Sequence, residues 1–159
     1  MFDIGDKIVY PMHGAGVIVK KEEKDILGIK KEYFIFKMPV GEIKISIPVD
    51  KVNDVGIRTV VSTDIVDEVY SILSTKQGEV NANWNQRYKD NLEKLRTGDL
   101  YEISSVFKEL YILDEEKGLS MAEKKLLTTS KKMLISEISV VKDKSASEIE
   151  DKILSLISL

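Results

Sequence analysis

The chain has 159 residues, 43% of them hydrophobic and 32% charged, with a formal net charge of −3 at pH 7 and an isoelectric point near 5.4. That is the composition of an ordinary folded protein, with room for one large or two small domains, and it excludes a largely disordered chain. A mildly acidic protein is not a general nucleic-acid coat, so any contact with DNA has to come from a local patch helped by a protein partner.

Residues 1–60 carry ten Lys/Arg against nine Asp/Glu and the remainder fourteen against eighteen, so neither part is basic as a whole. The absence of cysteine removes disulfides, thiolate metal sites and cysteine nucleophiles together. No apolar run approaches the roughly 18 residues a membrane span requires. The opening MFDIGDKIVY lacks the layout of a signal peptide, so the expected compartment is the cytoplasm.

From Ile4 to Pro48 the chain reads as short strands separated by turn formers. Lys7 to Tyr10 is a first strand, ended by Pro11. His13-Gly14-Ala15-Gly16 is read as a turn, its glycines supplying positive φ, into a strand from Val17 to about Lys24. Asp25 to Gly28 turns the chain, Lys30 to Met38 forms the next strand, Pro39 to Glu42 a second turn, and Ile43 to Ile47 alternates Ile-Lys-Ile-Ser-Ile before Pro48. Hairpins this short cannot bury an apolar face unless the sheet curls, which predicts a small Tudor or SH3-like β-barrel over residues 1–60. A strand followed directly by proline belongs at an edge. Such an edge can receive a strand from another protein or remain simply capped.

After Val60 the pattern becomes helical, with no proline from Val49 onwards. Ser62 opens a helix to about Ser74, and Asn83 one that begins at Trp84 and stops at Gly98. Asp99 opens a third, which ends at Gly118. Ser120 with Glu123 forms a capping box for a helix from Met121 to about Val140, and Ser145 with Glu148 repeats the device for a last helix. The fold class is therefore α+β, a β-barrel followed by an all-α bundle of about five helices over residues 61–159.

The stretch Asn81 to Asp99 holds the only tryptophan, Trp84. Asn83 and Gln86 have the spacing of an N-cap and its reciprocal partner, which puts Trp84 at the first helical position, an exposed tip. Arg87, Lys89, Lys94 and Arg96 follow on the same helix, so one flat apolar ring stands beside several cations, as a protein needs in order to press on a base step while gripping phosphates. The same residues also fit plain packing: Trp84, Tyr88, Leu92 and Leu95 recur at the spacing of a buried stripe. Periodicity leaves both readings open.

Enzyme chemistry is not visible. His13 is the only histidine and is best read as a turn residue. Gly14-Ala15-Gly16 lacks the third glycine, the lysine and the following helix of a phosphate cradle. The carboxylate clusters Glu22-Glu23 and Asp114-Glu115-Glu116 suit solvated surfaces better than a catalytic dyad. No metal site and no cofactor are expected.

Two sets of residues carry a resemblance. The first is the run Gly5-Asp6-Lys7-Ile8-Val9-Tyr10-Pro11-Met12-His13-Gly14-Ala15-Gly16. The second is Asn83-Trp84, Arg87-Tyr88-Lys89, Asn91-Leu92-Glu93-Lys94-Leu95, Gly98-Asp99 and Gly118-Leu119-Ser120 with Glu123-Lys124. With these, nearly the whole chain resembles the CarD (CdnL-like) family of bacterial transcription regulators. The first set is shared with the polymerase-interacting module of transcription-repair coupling factor, but no helicase motor is present.

The resemblance implies a non-enzymatic global regulator whose Tudor-like domain binds the lobe or protrusion of the RNA polymerase β subunit through an edge strand. Its helical domain would reach promoter DNA near the −10 element without sequence-specific readout. There the tryptophan matching Trp84 wedges into the minor groove at the upstream edge of the bubble and impedes re-annealing, so that the open promoter complex is stabilised.

The DNA-contacting set implied is Trp84, Gln86, Arg87, Tyr88 and Lys89, although Gln86 stands where several relatives carry arginine. The polymerase-contacting set is Lys24, Lys44, Ile45, Ser46 and Ile47. Lys24 and Ser46 stand where some relatives use arginines, so charge is kept at the first and lost at the second, with Lys44 placed to compensate. The implied partners are polymerase and promoter DNA, with no membrane or small-molecule substrate. The location is cytoplasmic, associated with the nucleoid through polymerase. Tethering to polymerase raises the local DNA concentration to roughly millimolar, which allows an acidic protein to use weak DNA contacts. The alternative is a protein-interaction adaptor that docks on polymerase and never touches DNA.

Overall fold

A computed structural model describes residues 2–157. Five antiparallel strands, β1 (Lys7–Tyr10), β2 (Gly14–Ile26), β3 (Ile29–Lys37), β4 (Lys44–Pro48) and β5 (Arg58–Thr59), are followed by five helices. These are α1 (Thr63–Ser74), α2 (Trp84–Arg96), α3 (Leu100–Glu116), α4 (Met121–Lys142) and α5 (Ala146–Leu156). The α+β architecture expected from the sequence is the one observed. The short β5 carries no alternating pattern and was not foreseen.

The sheet order is β4-β3-β2-β1-β5, and it wraps around one cluster formed by Ile8, Ile18, Phe34, Phe36, Met38, Ile47, Val52 and Ile57. Alternation explains which residues enter: Ile8 and Ile18 point inward. Their neighbours Val9 and Ala15, with Val17 and Val60 beside them, form a second apolar patch on the other face, closed by Val140 of α4. Both faces of the sheet are therefore buried near β1, which is why that segment reads as an unbroken apolar pair rather than a clean alternation.

Gly14 to Gly16 is strand rather than turn. These residues pair with Tyr10, Val9 and Ile8 of β1. Gly14 does have positive φ, but Gly16 does not. Both glycines are needed for close approach: a Cβ on Gly14 would stand 2.6 Å from Ser136 Oγ, and one on Gly16 would stand 2.2 Å from the Lys37 carbonyl oxygen. The missing side chain of Gly14 lets α4 lie directly on β2, where the Ala15 N–H donates to Ser136 Oγ at 2.8 Å, and that of Gly16 makes room for β3. Beyond β1, the β2–β3 hairpin continues as a ribbon to the pair Ile26↔Ile29. Its tight turn at Leu27-Gly28 has φ of 52° and 80°, the left-handed pair a two-residue hairpin demands.

The helical bundle is centred on α3, whose Ile103, Val106, Phe107 and Leu110 are buried in one cluster with Val66, Val69 and Leu73 of α1, Leu95 of α2, Leu126, Leu134 and Ile138 of α4, and Ile149 and Ile153 of α5. The expected caps on α2 to α5 form: Asn83, Asp99, Ser120 and Ser145 each accept backbone N–H groups of the following turn. Ser62 precedes α1 without a side-chain cap bond. The reciprocal half of the α2 box is also absent, because the Gln86 amide donates to Asp90 at 2.8 Å instead of turning back to Asn83.

The β-module and the bundle are joined by a buried polar hub. Arg58 of β5 forms a two-pronged ion pair with Glu137 of α4 at 2.8 and 2.7 Å. Its guanidinium also donates to the Gly98 carbonyl, just past the end of α2, at 2.7 Å. The Val61 N–H donates to Glu137 Oε2 at 2.9 Å. One glutamate on α4 therefore fixes β5, the segment leading to α1 and, through Arg58, the end of α2.

His13, on the turn between β1 and β2, lies edge-on to Tyr10 with ring centroids 4.4 Å apart. Partial burial, and then the charge of Lys132, hold its pKa below the ordinary 6.5. As pH falls through that value the unfolded chain takes up a proton before the folded one, so stability declines. In denaturant titrations between about pH 7 and 5, His13→Gln is expected to flatten this decline and Lys132→Gln to lessen it.

Candidate functional site

Trp84 is the first residue of α2 and is 48% exposed. The apolar stripe is real, but it starts one turn later. Tyr88 and Leu92 pack against the bundle cluster, and Asn91 and Leu95 are buried. The Trp84 ring thus continues the buried stripe past the point where the bundle ends, overhanging its edge. Asn83 holds the helix start by accepting from the N–H groups of Asn85 and Gln86, and Asn81 accepts from Asn83 N–H at 2.9 Å. The two asparagines of the NANW run thereby order the approach to the ring.

The five residues expected to meet DNA divide on inspection. Trp84, Gln86 and Lys89 are exposed. Tyr88 packs inward. Arg87, expected to grip a phosphate, is engaged within the protein. Its Nε and Nη2 donate to the two carboxylate oxygens of Glu123, each at 2.7 Å, and Nη1 donates to the Asn81 carbonyl at 2.7 Å. The Arg87 side chain is 11% exposed and that of Glu123 only 1%. Hydrogen bonding to Glu123, the largest influence, raises the Arg87 pKa above its ordinary value despite the burial that opposes it.

Glu123 also lies in the capped first turn of α4, its N–H donating to Ser120 Oγ at 3.2 Å, so the first turns of α2 and α4 are bound together. That junction brings Lys124 and Lys125, both exposed, and Met121, 74% exposed, to the same end of the molecule as Trp84. Their place beside Trp84 was not foreseen from the sequence, although Glu123-Lys124 stands in the family pattern. Nothing local marks them, since Glu123 and Arg87 lie 36 positions apart, and only a buried arginine seeking a carboxylate could have signalled the pairing.

At the sheet edge opposite β5, β4 is an outermost strand, paired only with β3 among the described residues. Its residues alternate: Lys44 and Ser46 are exposed, Ile45 is half-buried and Ile47 is inside the core. The Lys24 ammonium donates to Ser46 Oγ at 2.8 Å and stands 5.4 Å from the Tyr33 ring centroid. Residues 22 positions apart are thus assembled beside one open edge, with Lys24 held over an aromatic face. Ile47 can offer a partner only its backbone.

Among the described residues, no group of His, Asp and Glu is arranged to hold a metal ion, and no helix is long and apolar enough to cross a membrane. An open sheet edge and an overhanging indole flanked by cations are surfaces for binding rather than pockets for chemistry, which is the make-up of a macromolecular contact protein. Residues 2–61 match the CarD-like/TRCF RID domain and residues 68–154 match the CarD C-terminal domain. The chain belongs to the CarD family and is a transcription regulator of that kind; in this family RNA polymerase is the partner. It is 38% identical over 142 residues, 89% of this chain and 93% of the relative, to YdeB of Bacillus subtilis (strain 168), a candidate transcription factor by its name.

Proposed function

We propose that this protein anchors to the lobe of the RNA polymerase β subunit through β4 and stabilises the open promoter complex by lodging Trp84 in the minor groove at the upstream edge of the bubble. The observation that carries this reading is the placement of the indole. The only tryptophan is half-exposed at a capped helix start, with Lys89, Lys124 and Lys125 exposed at the same end of the molecule. An apolar ring held out beside cations suits the partly unstacked step at a DNA fork, where wedge and phosphate contacts sense deformability instead of base edges.

The anchor is the edge at Lys44, Ile45 and Ser46, with Lys24 beside it. Strand addition there uses backbone groups of β4 that no other strand takes, while Lys24 and Lys44 meet acidic side chains of the partner. Trp84→Ala tests the mechanism. Loss of the wedge is expected to shorten open-complex lifetime by a factor of about 5 to 150, the span of a coupling of roughly 1–3 kcal/mol, with polymerase binding unchanged. An unaltered lifetime would refute it. If the protein is instead an adaptor that never reaches DNA, neutralising Lys89, Lys124 and Lys125 together leaves promoter crosslinking as it was.

A further inference from the structure

Arg87 is the cation nearest in sequence to the indole and is largely withdrawn from solvent, and three of its five N–H donors are bonded within the protein. Two prongs go to Glu123 and a third to the Asn81 carbonyl. Glu123 is itself buried. A phosphate that took the two prongs now given to Glu123 would displace a carboxylate and leave it inside the protein without its counter-charge, a strongly unfavourable exchange.

The bonds that Arg87 makes all bear on where the indole sits. Glu123 ties the first turn of α2 to the first turn of α4, and the Asn81 carbonyl ties the chain just before Asn83 to the same guanidinium. Asn81 in turn receives the Asn83 N–H, and Asn83 caps the helix whose first residue is Trp84. The segment before the ring, the cap and the first helical turn are therefore referred to one buried ion pair. Lys89 is exposed and without an ion-pair partner among the described residues, so it remains free for a phosphate.

We propose that Arg87 is a positioning residue, clamped by Glu123 to hold the Trp84 indole in its wedging orientation, and not a phosphate ligand. This rests on the wedge reading above, but one of its readouts does not. Trp84 is the only tryptophan, so its fluorescence anisotropy and acrylamide quenching in the free, full-length protein report the placement of the ring with neither DNA nor polymerase present.

The decisive variants are Glu123→Gln and the double substitution Arg87→Met with Glu123→Leu, the second replacing the ion pair by apolar side chains of similar length, an exchange that buried pairs often tolerate. Glu123→Gln is expected to lower the anisotropy and increase the quenching of Trp84, and to shorten open-complex lifetime several-fold. The double variant is expected to recover much of both, and the slope of log affinity against log salt for the promoter complex is expected to stay that of the parent protein. Were Arg87 a phosphate ligand, Glu123→Gln would free it and lengthen the lifetime, and the double variant would lose about 0.7–0.9 of salt slope. Either result overturns the proposal, as does a Glu123→Gln protein whose indole signals are unchanged. If the fluorescence responds as expected while Trp84→Ala leaves the lifetime intact, the clamp stands and the wedge function falls.

Discussion

Arg58→Ala is expected to destabilise the protein by about 3–5 kcal/mol, more than Glu137→Gln does. The asymmetry follows from burial: the Glu137 side chain is 1% exposed and that of Arg58 is 32% exposed. Without Arg58, the carboxylate keeps only the Val61 N–H and stays inside as an uncompensated charge. With glutamine at position 137, the guanidinium still reaches the Gly98 and Thr59 carbonyls as well as water, and the amide oxygen can still accept. For a chain of this length each kcal/mol corresponds to about 2–4 °C in Tm, so a fall of roughly 6–20 °C is expected for Arg58→Ala. The double variant Arg58→Ala with Glu137→Gln is expected to be more stable than Arg58→Ala alone, because the stranded charge is gone. Thermal and urea denaturation of the parent protein and the three variants measure this coupling, and a double-variant loss equal to the sum of the two single losses would show that the hub contributes no more than its separate contacts.

The second large effect is expected at Gly16→Ala. The added Cβ would lie 2.2 Å from the Lys37 carbonyl oxygen and 2.7 Å from the Phe36 ring. The first of these is backbone of the neighbouring strand and cannot rotate away. β2 and β3 must separate locally, in a sheet whose inner face is filled by Phe34, Phe36 and Ile18. A loss of about 3 kcal/mol, at or above the upper end for overpacking, is expected. If the proposed anchor is right, this loss should be accompanied by weaker polymerase binding, since Lys24 on β2 and Ser46 on β4 meet across β3. Gly14→Ala meets buried side-chain atoms instead, Ser136 Oγ and the end of Met38, and does so at a φ of +128°, so its penalty joins backbone strain to that contact. Amide exchange of the β2–β3 ribbon distinguishes the two, with protection lost chiefly in Gly16→Ala.

Strands and helices were legible in the chain wherever local signals dominate. The capping pairs Ser120 with Glu123 and Ser145 with Glu148 located α4 and α5 because such bonds close within one turn. Pro48 placed β4 at an edge for an equally local reason. What escaped was long-range. Gly14 and Gly16 looked like turn glycines because a sequence shows the freedom of a glycine but not the carbonyl or hydroxyl that needs the empty space. β5, two residues long, has no period to detect, yet it carries Arg58. Arg87 looked like a solvent cation because its carboxylate partner belongs to another helix. Trp84 satisfied the exposed and the buried pattern together, since it lies on the packed stripe of α2 one turn beyond where packing ends. Only the position of the bundle edge decides between them.

The two buried glutamates of α4 stand two heptads apart in sequence, hence on nearly the same side of the helix and about 21 Å from each other. One holds the start of α2 and the other, through Arg58, its end and the β-module. If Trp84 and the β4 edge are the two contacts proposed, a molecule braced in this way serves as a caliper, its span set before either meets a target. A stiff span makes the second contact nearly free of ordering entropy when the separation matches and forbids it when it does not. On the proposed reading, selectivity among promoters then comes from how far upstream strand opening reaches, a length measured against the polymerase surface, with base identity mattering only through how readily that position melts.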